Sequence, residues 1–301
     1  MATAVYTKDN ALARTRLADY LALIRPRLFG MALLTVAVGA ILASAGAPKW
    51  ETVAHALVGA ALVAAGASAL NQLMERDIDA RMQRTRERSL PAGRLQPGEV
   101  FVFGFASALG GVAYLALTLA HPLAAVVAAL TFLIYVFAYT PLKRRTPLNT
   151  LVGAFAGALP PVIGWTAVRG SLSAEIGALF VILFLWQVPH FLAIAWIFRL
   201  DYCRAGLFML PSVDREGHVI GRQIICYCLA LVAASLTPLV VGGAGRVYLA
   251  GALVLGTGFL ACAVRFSLRR SQVRARAVLR ASLIYLPALL TLLLLDRISH
   301  G

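Results

Sequence analysis

The chain has 301 residues, 60% of them hydrophobic, with 28 Lys and Arg against 13 Asp and Glu and a formal charge of +15. A soluble domain carries about 45–50% apolar residues, so this composition excludes a water-soluble enzyme and predicts one polytopic membrane bundle. The four cysteines, Cys203, Cys226, Cys228 and Cys262, outline no disulfide framework, and the Cys226–Cys228 spacing in an apolar helix aims two thiols in different directions, as packing residues do.

Residues 1–26 are polar and read as a cytoplasmic N-terminal segment; no short apolar core with a cleavage site marks a signal peptide. Residues 27–298 then form an all-α integral membrane domain. A span needs about 20 mostly apolar residues. Nine such stretches occur: 28–46, 53–72, 100–120, 122–140, 149–168, 174–198, 224–242, 247–264 and 281–296. With the N-terminus inside, 24 of the 28 Lys and Arg fall in inside segments, and only Lys49, Arg169, Arg246 and Arg297 fall outside. That asymmetry predicts a cytoplasmic N-terminus and an outside C-terminus for the bundle. It also accounts for the net charge by topology and anionic lipid, with no nucleic acid partner.

The second span ends in Asn71-Gln-Leu-Met-Glu75-Arg-Asp77-Ile-Asp79, followed by arginines up to Arg94. Asn71, Glu75 and Asp79 are four apart and share one helix face. Such a row of oxygens suits a hard divalent cation, and the arginines suit a polyphosphate. Asp77 points away and is expected to pair with Arg81 at i+4. Between the fourth and fifth spans lies Tyr139-Thr-Pro-Leu-Lys143-Arg144-Arg145, and Arg25-Pro26-Arg27 opens the first span; both are basic and on the inside face. The sixth span ends with Trp186-Gln187-Val-Pro-His190-Phe and then Asp201-Tyr202. Gln187, His190, Ile194, Ile197 and Asp201 make one stripe of a continuous helix, with Asp201 level with Glu75 and Asp79 and His190 roughly 15 Å deeper.

The segment N-x-x-x-E-R-D-I-D-A-R-M-x-R-T at 71–85 resembles the first aspartate-rich motif of the intramembrane prenyltransferases. With R-P-R at 25–27, Y-T-P-L-K-R-R-T at 139–146, P-P-V-I-G-W at 160–165, W-Q-V-P-H-F at 186–191 and D-Y-C-R-A-G-L-F-M-L-P at 201–211, the set is similar to one branch, the protohaem IX farnesyltransferases or haem O synthases. The chain departs from that branch at Glu75, where Asp is frequent, and at Ser89 and Phe208, where Pro is common.

The resemblance implies farnesyl transfer from farnesyl diphosphate to a vinyl group of haem b in the lipid bilayer of a bacterial inner membrane. A haem A-forming oxidase is the implied partner for the product. It implies Mg²⁺ on Asn71, Glu75, Asp79 and Asp201, and a diphosphate on Lys143, Arg84, Arg88, Arg144 and Arg27. Trp186, Gln187 and His190 would serve haem. A quinone-directed prenyltransferase shares the acidic motif but not the W-Q-x-P-H-F block. A cation transporter would keep its acidic sites near the midplane, not beside arginines at one mouth.

Overall fold

A computed structural model describes residues 15–44 and 46–300, with side chains to Asp296. Of the expected N-terminal segment only Thr15 onward is therefore described, and Lys8, Arg14 and the Arg297 side chain lie outside it. The described residues contain helices and turns but no strand, and nine helical stretches are long and apolar enough to cross a membrane.

The chain enters through α1 (Arg16–Ile24), which the sequence pattern did not announce. Thr15 caps it by accepting the Ala18 amide, and it buries Asp19 and Leu23 while Leu17 and Leu21 stay exposed. One apolar edge outward is the pattern of a helix lying along a membrane interface. The first three spans are α2 (Pro26–Ala43), α3 (Trp50–Asp79) and α4 (Pro97–Thr118). The fourth begins as α5 (Leu123–Leu133), widens into a π-helix (Ile134–Tyr139) and ends at Leu142. The fifth is split into α6 (Asn149–Ala158) and α7 (Pro160–Arg169), because Pro160 and Pro161 bring no amide donors to the helix at the join.

The sixth span is α8 (Ala174–Ile197); the chain then bends at Phe198 into α9 (Arg199–Arg204). The last three spans contain α10 (His218–Ala234), α11 (Arg246–Leu268) and α12 (Gln272–His300). α10 and α12 start six and nine residues earlier than the apolar stretches at 224 and 281. Arg222, Arg274, Arg276 and Arg280 thus lie on helix, which long side chains tolerate by carrying their charge toward water. Cys226 is exposed and Cys228 buried, so the C-x-C thiols do diverge.

Two pairings set the frame. α3 packs antiparallel along α4, and α2 packs parallel along α7. The second is backbone-close: a Cβ on Gly39 would lie 2.0 Å from the Pro161 carbonyl oxygen, and one on Gly164 would lie 1.9 Å from that of Val36. Only glycine permits that approach. Gly164→Ala should therefore lose at least about 1–3 kcal/mol, the usual range for overpacking. By contrast Gly258→Ala, with open space around the new Cβ, should be neutral or slightly stabilising. Thermal melts in detergent compare the two, and equal melting temperatures would contradict the close approach.

Candidate active site at the arginine-rich mouth

The acidic row forms as its spacing requires. α3 runs unbroken to Asp79, and Asn71, Glu75 and Asp79 are 0%, 6% and 1% exposed. The side chain of Asp77 is 75% exposed and pairs with Arg76, not with Arg81. The helix stops at Asp79, so Arg81 is no longer four residues along the same helix.

Buried carboxylates need partners, and each finds a cation from a different element. The Lys143 ammonium donates to Glu75 Oε1 at 2.6 Å and lies 4.4 Å from the centre of the Tyr139 ring. Arg88 Nη1 donates to Asp79 Oδ2 at 2.6 Å. Burial opposes the charge on Lys143, but Glu75, Tyr139 and Tyr135 together outweigh it and leave the lysine pKa above its ordinary value. Burial and the neighbouring Arg25 lower the pKa of Arg88, against the pull of Asp79. Arg25 is also set against burial, and Tyr135, Glu75 and Asp79 outweigh that cost and raise its pKa.

Arg25 owes its place to a strained elbow. It has φ 54° and ψ 72°, and it is the one non-glycine residue with positive φ among the described residues. It ends α1 and is followed by Pro26, which disfavours the right-handed helical region for its predecessor. Ser68 Oγ and Gln72 Nε2 on α3 both donate to the Leu23 carbonyl, at 2.6 and 2.7 Å, and fasten the end of α1 beside the acidic row. The Arg25 Nε is buried without a hydrogen-bond partner among the described residues. Arg27, expected from the sequence as the diphosphate ligand of this motif, is exposed instead. Strain of this kind costs of order 1–3 kcal/mol and tends to collect at functional sites.

The loop after α3 folds back onto α1. Thr85 Oγ1 donates to the Asp79 carbonyl at 2.9 Å; Ser89 Oγ and Arg94 Nε both donate to Asp19 Oδ1 at 2.8 Å. Ser89, a departure in sequence, is thus a buried anchor of the Arg88 loop. Arg84 reaches across to the sixth span, 4.8 Å from the Phe198 ring centre and bonded to the Tyr202 hydroxyl at 3.3 Å. Arg144 is exposed and not bonded to the acidic row.

The π-helix, which no periodicity in the sequence signals, turns Tyr139, Thr140 and Lys143 toward α3; such turns recur at functional sites. Asn71 Nδ2 donates to Thr140 Oγ1 at 2.9 Å, and Thr140 Oγ1 donates to the Tyr135 carbonyl at 2.8 Å. The Lys143 carbonyl accepts the Phe208 amide at 2.8 Å, a bond that proline at 208 could not make. Asn149 Nδ2 donates to the Thr146 and Phe208 carbonyls at 2.6 and 3.1 Å and closes the same loop pair.

Two oxygens, Asn71 Oδ1 and Asp79 Oδ1, are buried with no hydrogen-bond partner among the described residues. Unsatisfied oxygens on one helix face, a turn to either side of Glu75, fit hard cations. Asp201 does not complete that set: no group of three His, Cys, Asp or Glu side chains close enough for a metal occurs among the described residues. The bend at Phe198 breaks the expected stripe between Ile197 and Asp201. Higher up, Gln187 Nε2 donates to the Ala154 and Leu183 carbonyls, whereas Trp186 and His190 both turn to Ser282 on α12. The three residues expected to serve haem therefore face two different neighbours.

Lys143→Met or Glu75→Gln alone leaves the partner's charge buried and should cost about 3–5 kcal/mol. The double variant should recover most of it. Thermal melts in detergent test this, and single variants as stable as the unaltered chain would contradict a buried pair.

Residues 32–286 match the model of the UbiA prenyltransferase family. The chain is 45% identical over 288 residues to the protoheme IX farnesyltransferase of Solibacter usitatus, covering 93% of this chain and 98% of that one. It is 43% identical over 292 residues to that of Koribacter versatilis, covering 93% and 94%. Among solved structures, digeranylgeranylglyceryl phosphate synthase superposes with a TM-score of 0.80 at 17% identity, over 94% of this chain and 99% of that one. A UbiA homologue from Archaeoglobus fulgidus bound to GPP and Mg²⁺ superposes with a TM-score of 0.65 at 17% identity, over 91% and 99%. The structures share the fold and the two relatives share the sequence along almost their full length, so the chain belongs to the UbiA prenyltransferase family, on its protoheme IX farnesyltransferase branch.

Proposed function

We propose that the chain transfers a farnesyl group from farnesyl diphosphate to a vinyl group of haem b, giving haem O and diphosphate, at a mouth that faces the cytoplasm of a bacterial inner membrane. The observation that carries the diphosphate half is the convergence of Arg25, Arg88 and Lys143, from three separate elements, on the buried Glu75 and Asp79. The haem half is supported by relatives of 40–45% identity, each a protoheme IX farnesyltransferase, and by the Trp186–His190 pair within the same bundle. The cytoplasmic direction is supported by the 24 Lys and Arg of the inside segments. The product is a substrate for an oxidase that forms haem A.

In the reaction the allylic C–O bond breaks, the diphosphate leaves with its electron pair, and a farnesyl cation remains. The vinyl carbon attacks that cation, and water adds to the haem-side cation with loss of a proton. Asn71 and Asp79, through the free oxygens described above, and Glu75 on the turn between them would hold Mg²⁺. When bound, that ion supplies Lewis acidity to the diphosphate. The chain's own cations do the rest of the charge work: Lys143, Arg88 and Arg25 face the leaving group, and their positions are set before it arrives. The Arg25 Nε, a buried donor without a protein acceptor, is available for one of its oxygens. The apolar spans keep bulk water from the cation, and His190 orients or ligates the haem iron.

Membranes given haem b, farnesyl diphosphate and Mg²⁺ should yield a haem heavier by farnesyl and hydroxyl, read by mass spectrometry. Activity on a quinone precursor with no haem product would overturn the assignment. Among variants, Arg25→Ala, Arg88→Ala and Asp79→Asn should each lower kcat/KM by about 10²–10³, whereas Arg27→Ala and Arg144→Ala should stay near the unaltered rate. Equal losses in both sets would mean that the exposed arginines hold the diphosphate as much as the inner cluster does.

A further inference from the structure

Beyond the acidic mouth, one residue deep in the bundle that holds His190 has no part in the chemistry above. Ser282 lies on α12, within an apolar stretch, and is fully buried. It receives two side chains from α8. Trp186 Nε1 donates to the Ser282 carbonyl at 2.7 Å, and His190 Nδ1 lies 2.8 Å from the Ser282 hydroxyl oxygen. The Trp186 and His190 rings stack with centroids 5.0 Å apart and planes 26° from parallel. Phe191 meets the imidazole edge-on at 5.7 Å.

The direction of the His190–Ser282 bond follows from counting protons. A serine hydroxyl has one proton and two acceptor lone pairs. Ser282 Oγ donates its proton to the Leu279 carbonyl at 2.7 Å. Toward His190 it can only accept, so Nδ1 carries the imidazole proton. A neutral imidazole has one N–H, which leaves Nε2 with a free lone pair. His190 Nε2 makes no hydrogen bond among the described residues, nor is it one of their wholly enclosed, unpartnered polar atoms.

We propose that Ser282 is a positioning residue that fixes the His190 tautomer and ring plane, so that Nε2 is presented, unprotonated, to the haem substrate. This rests on the reading that His190 serves haem. A donor-holding partner behind a ligating imidazole raises its basicity and fixes its direction, and loss of such a partner typically costs 10–100-fold in affinity for the metal. Trp186 completes the arrangement from the side: its indole is tied to the backbone of the residue whose hydroxyl holds the imidazole, so both rings are set by one point on α12.

The test uses the full-length chain in detergent or nanodiscs, labelled with ¹⁵N-histidine and free of haem. The His190 signals are identified by their loss in His190→Ala. The unaltered chain should show Nδ1 protonated and Nε2 unprotonated, and Ser282→Ala should shift His190 toward the other tautomer. Titration with haem b, read by its Soret band, should be about 10–100-fold weaker in Ser282→Ala and close to unaltered in Ser282→Thr, which keeps the hydroxyl. Binding of farnesyl diphosphate, unchanged in Ser282→Ala, confirms that the variant is folded. A protonated Nε2 in the unaltered chain, or a Ser282→Ala variant with the original tautomer and haem affinity, overturns the inference. If His190→Ala binds haem with an unchanged spectrum and affinity, the reading of His190 itself falls. If His190→Ala loses haem and Ser282→Ala does not, the inference alone falls.

Discussion

Two carboxylates at the end of a membrane span are the constraint around which this bundle is arranged. Glu75 and Asp79 are almost wholly removed from water, and an unpaired charge there would cost several kcal/mol. Their neutralisation recruits the loop after α3 through Arg88, the end of the fourth span through Lys143 and the join of α1 to α2 through Arg25. None of these cations is near α3's acidic end by virtue of its own helix. Each is delivered by a local device: a loop pinned to Asp19, a π-turn, and a left-handed elbow before a proline. The shape of the mouth is therefore dictated by charge as much as by apolar packing.

The same arrangement would suit the diphosphate proposed above. Preorganised cations gain most when they are held in a poorly hydrated place and need not reorient. Here the second layer does the holding. Ser68 and Gln72 hold the Leu23 carbonyl, Thr140 links Asn71 to the π-helix, and Asn149 with the Phe208 amide braces the Lys143 loop. These are small, uncharged groups, and each fixes backbone geometry next to a charged residue.

Much of this was legible in the sequence, and the parts that were not share a physical cause. Apolar runs and the distribution of Lys and Arg suffice for nine spans, because length and hydropathy alone decide a span. The four-residue spacing suffices for the Asn71–Glu75–Asp79 face, because α3 stays helical to its end. The failures come where the backbone leaves the regular helix. No periodicity announces the π-helix before Lys143, the bend at Phe198 takes Asp201 off the His190 stripe, and the elbow at Arg25 swings that residue inward while Arg27 remains outside. Ser282 was hidden for a different reason: a lone serine in an apolar span has no pattern, and its meaning depends on a helix 92 residues away in the chain.

The bond from the Phe208 amide to the Lys143 carbonyl sets a rule of substitution that side-chain thinking would miss. Half-exposed as it is, Phe208 looks like a replaceable surface residue. Its contribution to the Lys143 loop is a main-chain donor that nineteen of the twenty amino acids supply equally. Alanine scanning would score the position as indifferent, and tolerance there would be read as irrelevance. Proline alone abolishes the donor, so a homologue with proline at this point must brace its lysine loop by another route, and the two lineages should differ in how freely that loop moves.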